Sequence, residues 1–227
     1  MEPDTTGAER VADSAREIND ELFTKHKGGW ADDIGLALVD AVYSIGARYS
    51  GVELHLKDLA QQLREQGGGT DSLAVIADLP EEVIIGAMGR SRVAPGKARS
   101  TSKAAAVKEA AARLGELGVD NAAQLRGYLD DPAHSPADIY AAYTSVYGLG
   151  KVTAEYFLML LGVPGIKADR MVTRFVARAV GRSVSPVEAR RLVEQAHELL
   201  KGEKKFKRVT LTQFDHGIWL HEREVGH

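Results

Sequence analysis

The chain has 227 residues, of which 44% are hydrophobic and 27% charged, and its formal net charge is −3. This size and composition are typical of a globular protein with a substantial core, and no apolar run is long enough to span a bilayer. Cysteine is absent, which excludes disulfides, thiolate metal sites, iron–sulfur clusters and a cysteine nucleophile.

The first half of the chain predicts helices separated by glycine and proline breaks. Residues 8–23 predict a first helix, and the mostly apolar residues 34–48 predict a buried one. An amphipathic pattern over 52–66 ends at three consecutive glycines. Two short helices follow, one opened by Thr70 and the next by Pro80, since proline is favoured in the first turn of a helix.

The second half predicts further helices with short links. Residues 103–117 are alanine-rich and strongly helical, and residues 120–129 form a weaker helical pattern. Ser135–Pro136 opens the next helix, a capping box over Ser185–Glu188 opens another, and the last helix spans 209–223. About a dozen helices without a sustained strand pattern predict an all-α fold.

Positive charge is concentrated in one segment. Residues 1–21 carry a net charge of −5, which leaves +2 for residues 22–227. Residues 89–108 contain six basic residues and no acid across a Pro-Gly-Ser loop. Such a segment is either a solvated loop and helix start or a phosphate contact, and both interpretations stay open. The candidate DNA contacts within it are Arg92, Lys97, Arg99 and Lys103.

A turn with the sequence Gly148-Leu149-Gly150 lies between two predicted helices. Glycine permits positive φ and close approach of the backbone, and the N-terminus of the helix from Lys151 offers unpaired N–H groups to a phosphate. The pattern predicts phosphate binding through the three turn residues, Lys151 and Thr153. Glycines that merely turn the chain are the alternative.

The residues after this turn carry a resemblance to a known family. The sequence G-L-G-x-x-T-A is followed by a helix, a Val163-Pro164-Gly165 turn, Asp169 and, five residues later, Arg174. This resembles the helix-hairpin-helix (HhH-GPD) DNA glycosylase superfamily, which includes endonuclease III and the adenine-mismatch and alkylbase glycosylases. The specific match runs from the hairpin to Arg174, and a looser match covers most of residues 31–223.

The resemblance implies a two-lobed, all-α glycosylase fold over residues 1–227. Lobe one would comprise residues 1–49 together with 166–227. Lobe two would comprise residues 50–165, with the hairpin at 136–162.

Asp169 matches the essential aspartate of that superfamily. Cleavage of a glycosidic bond builds positive charge on the sugar, and a nearby carboxylate can stabilise this charge and orient a water. The target base must leave the helical stack before it can be reached. The alternative is that Asp169 is an acid favoured only by the dipole of the helix that it begins.

One departure from the family pattern predicts the type of reaction. Family members that also cut the strand have a lysine two residues after the second hairpin glycine, where it attacks the sugar, and this chain has Val152 there. Lys151 lies one residue earlier, about 100° round the helix. The resemblance therefore implies a monofunctional glycosylase. Tyr147 replaces the usual hairpin proline, and the common iron–sulfur module has no cysteine ligands in this chain.

Four residues are candidates for a base pocket or for a wedge inserted into the DNA. Trp30 could stack on a flipped base, with core packing as the alternative. Asp40 interrupts an apolar run, so it either lines the pocket or makes a structural hydrogen bond. Arg48 and Tyr49 lie in the turn where family members insert a wedge, and a plain surface turn is the alternative.

These features predict a monofunctional DNA glycosylase that acts on double-stranded DNA with a damaged or mispaired base. No organic cofactor and no metal held by side chains are expected, but family hairpins often hold a monovalent cation at backbone carbonyls. Neither a membrane nor an obligate protein partner is expected. The acidic N-terminus is unlike a signal peptide, so the expected location is the cytoplasm, on the bacterial nucleoid when bound to DNA.

Two other classes of protein stay open. A non-catalytic DNA-binding protein would keep the hairpin without base excision, and replacing Asp169 with asparagine would then change nothing. A helical protein-interaction domain with a coincidental turn would have no salt-dependent affinity for DNA.

Overall fold

The computed structural model describes residues 5–24, 29–47, 49–65, 68–94 and 100–225. Within these residues the fold is all-α, as predicted, with one short antiparallel ribbon. No helix in these ranges is both long and apolar enough to cross a membrane. The elements are α1 (Thr5–Arg16), α2 (Asp20–Thr24), α3 (Ile34–Tyr43), α4 (Tyr49–Glu65), α5 (Leu73–Asp78), α6 (Glu81–Met88), β1 (Arg92–Val93), β2 (Thr101–Ser102), α7 (Lys103–Gly115), α8 (Ala122–Asp130), α9 (Pro136–Ser145), α10 (Lys151–Leu160), α11 (Arg170–Val180), α12 (Pro186–Leu200) and α13 (Leu211–Val225).

The chain folds into two compact units. The first unit comprises the described residues of Met1–Gly28 and Val163–His227, and the second those of Gly29–Gly162. The predicted lobe boundary at residue 49 differs from this division. Helix α3 packs against α4, α5, α7 and α10, so it belongs to the second unit.

An apolar core joins the five helices of the first unit. Helix α12 packs against α1, α11 and α13, and α13 also packs against α2. Phe23, Phe206 and Phe214 are fully buried in this core, with ring centroids 5.4 to 5.9 Å apart. The same core buries Val172, Phe175 and Val176 and thereby holds α11 in place.

Helices α3 and α7 form the centre of the second unit. All ten residues of α3 are buried. Helix α7 buries seven residues, four of them alanines, whose small side chains let α3, α5 and α9 pack against it. Helices α9 and α10 form the predicted hairpin, in which Tyr143 stacks on Phe157 with ring centroids 5.8 Å apart.

The structure corrects the predicted first helix by dividing it into α1 and α2. Lys205 Nζ donates to the carbonyl of Arg16 at 2.7 Å and so satisfies an acceptor at the end of α1. The side chain of Asn19 accepts from the N–H of Glu21 at 3.0 Å and caps the start of α2. Both contacts satisfy groups that a continuous helix would have used internally.

Two further helix ends differ from the prediction. The helix predicted over 34–48 ends at Tyr43, because Lys103 Nζ donates to its carbonyl. At α12, Ser185 Oγ accepts from the N–H of Glu188 at 3.1 Å as predicted. The carboxylate of Glu188 pairs with Arg182 at 2.6 Å instead of completing the capping box.

Candidate functional site

The hairpin turn requires glycine at its first position. Gly148 has φ +87°, which L side chains rarely adopt. A Cβ at this position would lie 2.7 Å from Cγ2 of Val93 on β1, too close for an atom to fit. The turn is therefore packed tightly against the ribbon. Leu149 between the glycines is buried.

The start of α10 leaves backbone donors available. Gly150 is the N-cap residue, and its N–H donates to Thr153 Oγ1 at 3.2 Å while that hydroxyl donates to the Gly150 carbonyl at 2.8 Å. Thr153 thus caps the helix from within. The N–H groups of Lys151 and Val152 have no acceptor among the described residues, and the Lys151 side chain is exposed. Two free N–H groups, the helix dipole and a lysine suit one phosphate.

Carbonyl oxygens at the turn match the donor set that the resemblance implies for a monovalent cation. Within the described part of the chain, the carbonyls of Gly148 and Leu149 accept no backbone hydrogen bond outside the helices. Hard cations prefer oxygen ligands of this kind. The residues present fit the group, and the cation itself stays a prediction.

The basic segment divides into residues with different roles. Arg92 is exposed, and its guanidinium donates to Ser100 Oγ at 3.1 Å across the ribbon. Lys97 and Arg99 lie outside the described residues. Lys103 is only 4% exposed, in contrast to its predicted role as a phosphate contact.

The buried ammonium of Lys103 caps the C-terminus of α3. It donates to the carbonyls of Tyr43 at 2.9 Å and Ile45 at 2.7 Å. Burial lowers the pKa of this ammonium below its usual value. Since the ammonium is buried and donates two hydrogen bonds to carbonyls inside the unit, Lys103 has a structural role, in contrast to the predicted phosphate contact.

Asp169 is the N-cap of α11. Its Oδ1 accepts from the N–H of Met171 at 2.7 Å and of Val172 at 3.3 Å. The residue is half-buried, and Oδ2 has no partner among the residues that the structure describes. The helix therefore orients the carboxylate through one oxygen and leaves the other available.

Arg174 is held by a buried acid on α13. Its Nε donates to Glu222 Oε2 and its Nη2 to the Glu222 carbonyl, both at 2.7 Å. Glu222 is fully buried and also pairs with Arg178. Glu222 is not among the residues predicted for the site, although its spacing of four from Ile218 and eight from Phe214 places it on the buried face of the last helix.

Trp30 and Asp40 meet in a polar cluster within the second unit. Asp40 is only 1% exposed, and it accepts from Trp30 Nε1 at 2.9 Å and from Ser44 Oγ at 2.8 Å. The hydroxyl of Tyr156 on α10 lies 3.5 Å from the same carboxylate. The structural hydrogen bond weighed for Asp40 is therefore present, and Tyr156 was not foreseen because it comes from a distant helix.

The side chains of the two wedge candidates, Arg48 and Tyr49, lie outside the described part of the structure. Arg48 lies outside the described residues, and Tyr49 is the first residue of α4, with no side-chain description. Their predicted role stays a prediction.

One cavity of about 540 Å³ lies in the second unit beside α6 and the ribbon. Its lining includes Glu81, Glu82, Arg90, Ser91 and Arg92. Arg92 is the only predicted site residue in this lining. The mixture of acids and bases does not favour a ligand of either charge.

Comparisons with known proteins define the fold. The structure of MBOgg1 in complex with a low-affinity DNA ligand is similar, with a TM-score of 0.55 and 16% sequence identity. The match covers 86% of this chain and 61% of that one, so this chain spans about three-fifths of the length of MBOgg1. It follows that the chain shares the all-α fold of MBOgg1.

Sequence comparison places the chain in a family. No curated protein matches it. A family model described as a domain of unknown function, DUF8548, matches residues 9–223, nearly the whole chain. The hairpin, Asp169 and Glu222 all lie inside the matched range. The chain therefore belongs to the DUF8548 family.

Proposed function

We propose that this protein is a monofunctional DNA glycosylase, a member of the helix-hairpin-helix superfamily that hydrolyses the N-glycosidic bond of a damaged or mispaired base. The observation that carries the proposal is the hairpin turn, after which the N–H groups of Lys151 and Val152 at the start of α10 have no acceptor among the described residues. The fold shared with MBOgg1, a protein solved with a DNA ligand, supports it.

The hairpin would bind the DNA backbone without reading sequence. A phosphate oxygen would accept from the free N–H groups of Lys151 and Val152, with the lysine ammonium adding charge. Glycine at 148 and 150 lets a phosphate approach the main chain closely. Because this contact releases counterions, the affinity for duplex DNA is expected to fall as salt rises.

Asp169 would act on the sugar of the flipped nucleotide. The two helix N–H groups that bind Oδ1 fix the plane of the carboxylate, which leaves Oδ2 to accept a proton from water or to face the positive charge that builds on the sugar. The water would then attack the anomeric carbon as the bond to the base breaks and the base leaves with the electron pair.

Val152 argues against strand cleavage by the same enzyme. An amine at this position could form a Schiff base with the sugar, and a valine cannot. Lys151 lies one residue earlier, at a different angle round α10. The product would be an abasic site in an intact strand.

A non-catalytic DNA-binding protein is the second candidate. Its support is that the capping bonds to Met171 and Val172 account for an aspartate at 169 by helix stability alone. The two candidates share the hairpin and differ only in whether Asp169 takes part in chemistry.

The deciding experiment uses end-labelled duplexes with uracil, an alkylated purine, oxidised guanine or an adenine mismatch. Wild type and Asp169→Asn are incubated with each duplex, and half of every sample is heated in alkali. Asparagine keeps the cap, since its side-chain oxygen can accept the same N–H bonds. Cleavage after alkali with wild type, reduced at least about 100-fold in the variant, is the expected result. Equal base release by both proteins would contradict the role of Asp169.

A further inference from the structure

One face of α11 carries an arginine at every fourth position. Arg170, Arg174 and Arg178 are spaced so that they lie on the same side of the helix, with about 6 Å of rise between successive residues. All three side chains are exposed, those of Arg174 and Arg178 by 48% and 49%. We name these three residues the arginine ridge.

The ridge carries more positive than negative charge. Helix α11 contains no acid, and the buried Glu222 is shared between Arg174 and Arg178. Arg170 makes no ion pair among the described residues. Three guanidinium groups therefore face one carboxylate. Beyond the helix the pattern ends, because Arg182 is neutralised by Glu188 at 2.6 Å.

Glu222 also fixes the direction of the central arginine. Two hydrogen bonds of 2.7 Å, one to the carboxylate and one to the main-chain carbonyl, hold the guanidinium of Arg174 through Nε and Nη2. Its Nη1 has no hydrogen-bond partner among the described residues. A planar guanidinium that is already oriented loses little rotational freedom when it binds a second anion.

Helix stability does not explain Arg170. The residue occupies the first position of α11, where the helix dipole disfavours a cation. No described acid forms an ion pair with Arg170, and the adjacent Asp169 uses its Oδ1 to cap the helix. An exposed guanidinium at this position is available to an external anionic partner.

We propose that the arginine ridge is a second phosphate-binding surface, which contacts the backbone of duplex DNA separately from the hairpin. The inference rests on the proposed function for its partner. Duplex DNA presents phosphates at short intervals, and exposed arginines in a row can contact several of them. The ridge would position the strand without reading bases.

The test measures binding to an undamaged duplex, so that base release plays no part. Fluorescence anisotropy at about 50 to 200 mM salt compares wild type, Arg170→Gln and a control, Arg113→Gln on α7. Arg113 is also exposed, and within the described part of the chain it pairs with Glu116, which directly follows its own helix. We expect Arg170→Gln to weaken binding several-fold and to reduce the slope of log affinity against log salt by about 1.

The outcomes separate this inference from the proposed function. If Arg170→Gln binds like Arg113→Gln, or if wild type does not bind the duplex, the ridge is not a DNA contact. If the slope decreases by about 1 while wild type releases no base in the separate alkali assay, the ridge is supported and the glycosylase proposal is not. Thermal unfolding checks that weaker binding does not come from a loss of stability. Arg170→Gln should be as stable as wild type or slightly more so, because it removes a cation from a helix N-terminus.

Discussion

Gly148 and Val93 pack so closely that no side chain can be added to the glycine. A Cβ on Gly148 would lie 2.7 Å from Cγ2 and 2.8 Å from Cβ of Val93, whose side chain is fully buried. The contact joins the turn of the hairpin to the ribbon between α6 and α7. It makes the position of the free N–H groups of α10 depend on packing as well as on turn geometry.

Gly148→Ala is expected to destabilise the protein by about 3 kcal/mol, since it adds strain at positive φ to overlap with Val93. Chemical denaturation with a fluorescence readout measures this change. Duplex affinity should fall as well, because the turn has to move. A loss of less than about 0.5 kcal/mol would mean that the turn tolerates a side chain.

Gly150→Ala is the matched control for that change. Gly150 has φ −127° and open space around its Cβ position, so the fold should be nearly unaffected. A phosphate held close to the main chain would still meet the added methyl group. Reduced duplex affinity without loss of stability is therefore expected. Unchanged affinity would argue against close phosphate approach at this turn.

Asp169→Ala is expected to cost about 0.5–2 kcal/mol of stability, because the N–H groups of Met171 and Val172 lose their acceptor. Asp169→Asn should recover most of this loss. Comparing the free energies of unfolding of the two variants measures the capping contribution. Equal stability of both would indicate that the cap adds nothing, and both should lose base release if the carboxylate is catalytic.

Lys103→Met is expected to destabilise the second unit by about 1–3 kcal/mol, since the carbonyls of Tyr43 and Ile45 lose their donor. The salt dependence of DNA binding should stay that of wild type, because the ammonium is buried. A reduced salt slope would restore the phosphate role that the sequence predicts for this lysine.

Lys103→Met is also expected to change how the free energy of unfolding depends on pH in the alkaline range. Burial lowers the pKa of Lys103 below 10.5, so the folded protein releases this proton at lower pH than the unfolded chain. Between the two values the unfolded state binds more protons, and stability rises with pH. Unfolding measured at increasing pH up to 10.5 should show this rise in wild type and lack it in Lys103→Met.

Tyr43→Phe is expected to be neutral or stabilising by up to about 1 kcal/mol at pH 7. The Tyr43 hydroxyl is buried without a hydrogen-bond partner in the described part of the chain, so its removal leaves no group unsatisfied. Burial, assisted by the charge of Glu81, raises the pKa of Tyr43 from 10.0 to about 12.

The raised pKa of Tyr43 makes the stability of the protein depend on pH in the alkaline range. Between pH 10 and 12 the folded state holds a proton that the unfolded chain has lost, so wild-type stability falls with rising pH. Tyr43→Phe should show a smaller fall, because burial also raises the pKa of Tyr143, which still contributes in the variant. Alkaline denaturation of both proteins measures it, and identical curves would indicate that Tyr43 is exposed before it ionises.

Local patterns in the chain predict most of the helices. Ser135 and Pro136 begin α9 as expected, and the weak pattern over 120–129 corresponds to α8. Capping and periodicity depend on residues a few positions apart, so one sequence contains the information. The end of α3 depends instead on Lys103, sixty residues away, and a local hydrophobic pattern cannot predict a contact over that distance in the chain.

The all-α class, the glycine hairpin and the aspartate that starts α11 can be predicted from the chain alone, because each depends on neighbouring residues. How those residues are used depends on contacts between distant segments. It buried Lys103 under α3, placed Glu222 between two arginines, and set Trp30 and Tyr156 on either side of Asp40. These pairings join residues far apart in the chain, and only the packing of whole helices brings their polar atoms within bonding distance.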